Sequence, residues 1–227
     1  MINKEQLERM AKETIKKEFD EEMDVEIITY AEMPKRKAEH EKKYDCKIND
    51  DFTGMFIPAK NGLNAFMLVV YDEADEFELF EKYHHELQHA IDYFIVMKSL
   101  GELPKHFMYY TEFNAGREGF LRVNLATLGM MRTDAERQQF LVGAKQQLIK
   151  VLAKTPSTVF DLLCHLARVA ALAQIEKKVD YALYEGMPRS IAELAELIYD
   201  YGPTKEWYAR FKEKIESIPS TNKNSAP

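Results

Sequence analysis

The chain has 227 residues, 46% of them hydrophobic and 30% charged, with 9 glycines and 8 prolines. This composition excludes collagen-like, low-complexity and wholly disordered chains, and the length is sufficient for a large hydrophobic core. Because 38 acidic residues outnumber 31 basic ones, a broad phosphate-binding surface is disfavoured and no nucleic-acid partner is expected. The longest apolar run, Ala65 to Tyr71, is far shorter than the roughly 20 residues of a spanning helix, so no membrane partner is expected.

The N-terminal residues and the cysteines indicate the compartment. The chain begins with charged residues and lacks the apolar stretch of a secretion signal. Cys46 and Cys164 are far apart and have no metal-type spacing, which favours two reduced thiols over a disulfide framework. Both features predict a cytoplasmic protein.

The first fifty residues predict one helix, one strand and a loop. Apolar residues recur at steps of three and four from residue 2 to about 19, which is typical of an amphipathic helix. A run rich in β-branched residues predicts a strand over Val25 to Tyr30. The polar stretch from Met33 to Asp50 contains Pro34 and six basic residues. We expect it to be a solvated loop.

A hairpin and a series of helices are expected to follow. Residues 52–58 and 65–71 predict two strands, because an Asn-Gly turn signal lies between them. The apolar period then becomes that of helices, which are bounded by Gly101, Pro104, Pro156 and Gly202 and by two capping boxes. The first two helices are expected over about 77–100 and 105–131. A third begins at Thr133, and a fourth runs from Ser157 or Thr158 to 175. A fifth begins at Ser190, and the last ends near residue 218.

The fold class predicted from these elements is α+β. A mixed domain is expected over residues 1–131, with a helical extension over 132–218 packed on it. The polar tail, 219–227, is predicted to be disordered.

One motif dominates the chemistry, His85-Glu86-Leu87-Gln88-His89. Histidines four residues apart on a helix lie on one face, one turn apart, and two neutral imidazoles can bind one Zn²⁺ at about 2.0–2.1 Å. Glu86 can then reach a metal-activated water and act as general base. With 6 histidines in the chain, roughly 0.015 chance matches are expected, so a metal site is favoured over a polar surface stripe.

The third metal ligand is open on spacing alone. A metzincin site would need glycine and histidine where this chain has Asp92 and Ile95, so that class is excluded. Glu112 and Glu118, on the next predicted helix, follow His89 by 23 and 29 residues. A short turn and an antiparallel return could bring either carboxylate back to the histidines.

The histidine motif followed by Thr111-Glu112-Phe113-Asn114-Ala115 resembles a gluzincin-type zinc metallopeptidase. In the order of its elements the chain is most similar to the ImmA/IrrE-like group. The resemblance covers about residues 1–130 and implies a zincin-like domain with an N-terminal helix, a small sheet and an active-site helix. It also implies Zn²⁺ held by His85, His89 and Glu112, with Glu118 as the fallback ligand and Glu86 as the base. The implied partner is a peptide or protein substrate.

Two features of the sequence depart from this family pattern. Gly116 stands where such families place Asp or Asn, which can orient a ligand. Asp92 could replace that function, or it could be an exposed helix acid. Tyr109, Tyr110 and Arg117 flank Glu112 and could donate to an oxyanion, although aromatic packing is the simpler role for the tyrosines.

The helical extension lies outside the resemblance and motivates a second hypothesis. In it the protein is a helical binding or regulatory protein whose zinc site is structural or inactive. Glu86 favours the enzyme, because a structural site has no need of a base. For an enzyme, we expect a sheet edge, with Ala65 to Tyr71 as the candidate strand, to align an extended peptide.

Overall fold

The structure is a computed structural model that describes residues 3–48, 53–60, 62–105, 107–152, 159–177, 193–194, 196–197 and 204–217. The described residues form seven helices and one three-stranded sheet, which confirms the α+β class. The helices are α1 (Lys4–Phe19), α2 (Met33–Tyr44), α3 (Glu76–Leu100), α4 (Phe107–Met130), α5 (Asp134–Leu152), α6 (Val159–Glu176) and α7 (Lys205–Ser217). The strands are β1 (Met23–Thr29), β2 (Gly54–Ile57) and β3 (Ala65–Tyr71).

The chain divides into two compact units, Met1–Ile95 and Val96–Pro227, with the boundary inside α3. In the first unit the strand order is β1-β3-β2. Strand β1 runs parallel to β3, and β2 pairs with β3 in an antiparallel ladder. The predicted hairpin is therefore confirmed.

The expectation that β3 forms the edge of the sheet is wrong. Strand β3 lies in the centre, with β1 on one side and β2 on the other. All of its residues except Tyr71 are buried, as expected for a strand covered on both faces. The edge strands are β1 and β2, and on β1 the Glu8 carboxylate of α1 accepts the backbone N–H of Ile27 at 2.8 Å.

The two faces of β3 contribute to two separate cores. Ala65, Met67 and Val69 pack in a cluster with residues of α1 and α3. Phe66, Leu68 and Val70 point the other way and pack with Tyr44 at the end of α2. This alternation follows from the two-residue period of a strand. It anchors α3, which carries the histidine motif, to the centre of the sheet.

The loop predicted over Met33 to Asp50 is also wrong, because residues 33–44 form α2. Pro34 lies in the first turn of this helix, where its missing N–H needs no intrahelical partner. His40 and Tyr44 are four residues apart and form the buried side of the helix. Two of its basic residues pair with strand β1, Arg36 with Glu26 at 2.7 Å and Lys43 with Asp24 at 3.4 Å. With only two buried residues among so many charges, the inner side of this helix is too sparsely marked to be recognised from the sequence.

The second unit contains α4 to α7, and its contacts are helix on helix. The predicted capping box at the start of α5 is confirmed, since Glu136 N–H donates to the Thr133 hydroxyl at 3.2 Å and its carboxylate accepts the Thr133 N–H at 2.9 Å. Helix α6 packs on α4. The proposed break at Pro156, the box at Ser190 and the tail 219–227 lie outside the described residues. In the part of the chain that is described, no helix has both the length and the apolar character needed to cross a membrane.

Candidate metal centre

Helix α3 holds His85 and His89 on one face, one turn apart. Its opposite, apolar side packs into the first core through residues at helical spacing, which are Leu79, Tyr83, Leu87, Ala90 and Phe94. The two Nε2 atoms lie 3.1 Å apart, and the rings meet edge to face with centroids at 4.8 Å. Packing of the apolar side therefore fixes the direction in which both imidazoles point.

The separation of the imidazole nitrogens suits a shared metal ion. Two metal–nitrogen bonds of about 2.0–2.1 Å that end on atoms 3.1 Å apart enclose an angle of about 100° at the ion. Tetrahedral coordination requires a similar angle. The pair therefore needs little rearrangement to bind one ion.

Glu112, on α4, completes a three-residue group with the two histidines. One ligand atom from each of His85, His89 and Glu112 lies within 4.8 Å of the others, so the group could hold a metal ion. The alternative ligand, Glu118, instead accepts from Arg122 Nε at 2.6 Å. Among the described residues, the group contains neither Glu118 nor Glu86.

The protonation states of these three side chains suit the binding of a cation. Desolvation lowers the pKa of His85 to about 4. Desolvation, with a smaller repulsion from His85, lowers the pKa of His89 to about 3. Both imidazoles are therefore neutral at pH 7, and the neutral form is the one that binds metals. Burial raises the pKa of the Glu112 carboxyl, because a desolvated negative charge is costly, and a cation would offset that cost.

Glu86 points from α3 toward the edge strand β2. Its side chain is buried, with only 6% of the residue exposed. It lies directly over Gly54, so closely that a Cβ placed on Gly54 would overlap its carboxylate. Glu86 and the two histidines thus leave the same stretch of α3, but Glu86 is held against the sheet.

Asp92 is a buried acid, and the alternative of an exposed helix acid is wrong. It is buried, with 1% exposure, and it accepts from Gln88 Nε2 at 2.8 Å. At positions 85, 89 and 92 the residues follow the i, i+4, i+7 spacing of one helix face. Asp92 therefore lies on the histidine side of α3, where a carboxylate that supports the ligands would be needed.

Gly116 has a packing explanation. A Cβ on this residue would lie 3.4 Å from the Cβ of Ala167 on α6, so the second unit uses the space beside α4 for helix packing. An aspartate or asparagine at this position would have to compete with α6 for that space. Glycine at position 116 is thus explained by the close contact between α4 and α6.

The C-terminal helix contacts α4 two residues before Glu112. Tyr110 is buried with its ring edge-on to Trp207 at 5.2 Å and to Phe211 at 6.2 Å. Trp207 is anchored in turn by an Nε1–H donated to the carbonyl of Leu197 at 3.0 Å. Tyr110 therefore has the packing role, and α7 supports the helix that carries Glu112.

Two residues near the site escape analysis of the sequence alone. Gly54 lies in a predicted strand, and an isolated glycine there signals close approach of another group, but the signal does not name Glu86. Trp207 is the single tryptophan of the chain, and its contact with Tyr110 spans almost a hundred residues. Both contacts are tertiary, and local patterns carry no information about the partner.

The chain matches no family model, no curated protein and no solved structure. The resemblance to gluzincins and to the ImmA/IrrE-like group therefore stays a prediction.

The lowered pKa values predict how the metal-free protein responds to acid. In the unfolded chain the histidines titrate near 6.5, whereas in the folded chain they stay neutral down to about 4 and 3. Stability is thus complete above pH 6.5 and is lost as the pH falls toward 4, by about 1.4 kcal/mol per pH unit for each histidine. Urea unfolding in chelator between pH 7.5 and 4.5 measures this slope.

The double variant His85→Ala/His89→Ala is the control for this experiment. His40, whose pKa is also lowered by burial, titrates in both proteins, so the difference between the two slopes isolates the site. Parallel curves for the parent and the variant would contradict the assigned ionisation.

Proposed function

We propose that this protein is a zinc-dependent peptidase of the HExxH, gluzincin type. The observation that carries the proposal is the group of His85, His89 and Glu112, with one ligand atom from each within 4.8 Å of the others. Two nitrogens and one carboxylate oxygen are a donor set that Zn²⁺ uses in catalytic sites. A general base candidate, Glu86, is adjacent to the first ligand in sequence.

The number of ligands favours catalysis over a structural role. Structural zinc sites are closed by four protein ligands, whereas catalytic sites have three and keep one position open. Within the described residues the group has three members. When bound, Zn²⁺ would supply Lewis-acid chemistry, lowering the pKa of water and polarising a carbonyl.

The proton transfers of the reaction are assigned to Glu86. Its carboxylate accepts the proton of the attacking water and then delivers it to the leaving amine. The side chain is buried, so few conformations are open to it and the carboxylate is held in place for these transfers. His85, His89 and Glu112 hold the metal and take no part in these transfers.

An extended peptide is best accommodated along the edge strand β2, because β3 is paired on both sides. Val70 N–H donates to the Thr53 carbonyl at 3.0 Å, and alternate residues of an antiparallel strand bond to the same neighbour. The backbone groups of Gly54 and Phe56 therefore point away from β3. These groups are oriented to pair with a substrate strand. Because Gly54 itself packs on Glu86, such a strand would lie next to that carboxylate. We expect the enzyme to act on peptide or protein substrates in the cytoplasm.

Glu112 is expected to be the third ligand and Glu118 is its matched control. Glu112→Gln should weaken zinc binding by more than the roughly 10–100-fold that a change in a supporting residue causes. Glu118→Gln should leave the affinity within a few-fold of the parent, because that carboxylate is paired with Arg122. Competition with a chromophoric zinc chelator gives both dissociation constants. A larger loss from Glu118→Gln would reverse the assignment.

The test of the enzymatic function is Glu86→Gln. Glutamine preserves size and hydrogen bonding but cannot accept the water proton, so hydrolysis should fall by roughly 10²–10⁴-fold. Zinc content and thermal stability should stay at the parent values. The assay is cleavage of casein or of a peptide library by the zinc-loaded protein, followed by mass spectrometry.

Two results would contradict the assignment of Glu86. If Glu86→Gln cleaves as fast as the parent, another group is the base. If it loses its zinc, Glu86 is a ligand and the three-residue group is incomplete. A parent protein that cleaves nothing while binding zinc would favour the helical binding or regulatory protein with an inactive site.

A further inference from the structure

Gly54, the first residue of β2, is in unusually close contact with Glu86. A Cβ built on Gly54 would lie 2.8 Å from both Cγ and Cδ of Glu86 and closer still to the carboxylate oxygen Oε1. Carbon atoms pack at about 3.5–4.0 Å. The Glu86 side chain therefore occupies the space that any other residue at position 54 would need.

The backbone conformation does not explain why position 54 is glycine. Among the described glycines, those with positive φ are Gly62 and Gly101, and Gly54 is not one of them. An L-residue could adopt the conformation of Gly54, and a glycine inside a strand weakens it. The glycine is required for space, and the group that fills that space is Glu86.

The strand cannot easily move away to make room for a side chain. Gly54 lies opposite Val69 of the central strand, and Val69 is fully buried in the first core. The neighbouring bond from Val70 N–H to the Thr53 carbonyl holds the start of β2 to β3. A side chain at position 54 would therefore displace Glu86 before it displaced the strand.

We propose that Gly54 is a positioning residue for the general base. By leaving its side-chain space empty, it gives the Glu86 carboxylate one defined position between α3 and β2. The inference rests on the proposed role of Glu86 as the base. It adds that the edge strand, in addition to the helix, determines where that carboxylate points.

The experiment is a double-mutant cycle between Gly54→Ala and Glu86→Ala, measured by urea unfolding of the chelated protein. In the parent, Gly54→Ala should raise the unfolding equilibrium constant about ten-fold or more, which is typical of overpacking. In the Glu86→Ala background the three overlapping atoms are gone, so the same substitution should have no unfavourable effect. An alanine control is Gly143→Ala on α5. Apart from the adjoining residues and the backbone of its own helix, no described atom lies within 4 Å of the new Cβ.

Hydrolysis and zinc binding provide the second measurement. Gly54→Ala should lower kcat ten-fold or more with KM and zinc affinity unchanged, because the displaced carboxylate acts after substrate and metal are bound. Gly143→Ala should keep the parent kcat. The Gly54→Ala single variant could fail to fold while the Gly54→Ala/Glu86→Ala double variant folds. That result would also support the proposal.

An equal cost of Gly54→Ala in both backgrounds would overturn the proposal, as would an unchanged kcat in a parent that hydrolyses peptides. The unfolding cycle does not require activity. The parent could show no hydrolysis while the unfolding free energies of Gly54→Ala and Glu86→Ala remain coupled. That result would refute the proposed function but would still support the contact between Gly54 and Glu86.

Discussion

The close approach of two desolvated imidazoles on one helix face is the constraint on which the site depends. His85 and His89 hold their Nε2 atoms 3.1 Å apart, and both stay neutral well below the ordinary histidine pKa. Neutral imidazole nitrogens held this close together can both bind one metal ion. A metal ion coordinated by both nitrogens and by Glu112 would also offset the charge of that carboxylate, whose pKa is raised by burial.

The rest of the described structure supports the two helices that carry His85, His89 and Glu112. In the first unit, the buried central strand β3 anchors α3 through its apolar side. In the second unit, α4 is packed by α6 at Gly116 and by the aromatic rings of α7 at Tyr110. The helical extension therefore has a structural task, which is to support the helix that carries Glu112.

Features encoded by local periodicity could be predicted from the sequence. The long helix α3, the β2–β3 hairpin and the capping box at Thr133 all follow short-range rules. Helix α2 escapes prediction because it is rich in charged residues and only His40 and Tyr44 mark its inner side. The central position of β3 and the contact between Gly54 and Glu86 depend on which elements pack together, and a single sequence does not encode that locally.

Zinc titration of the metal-free protein tests the central claim most directly. Isothermal titration, checked by elemental analysis after dialysis, should give one Zn²⁺ per chain, the stoichiometry of a single three-ligand site. The double variant His85→Ala/His89→Ala should bind none at this site while remaining folded at neutral pH. Stoichiometric zinc in that variant, or none in the parent, would contradict the assignment of His85, His89 and Glu112 as a metal centre.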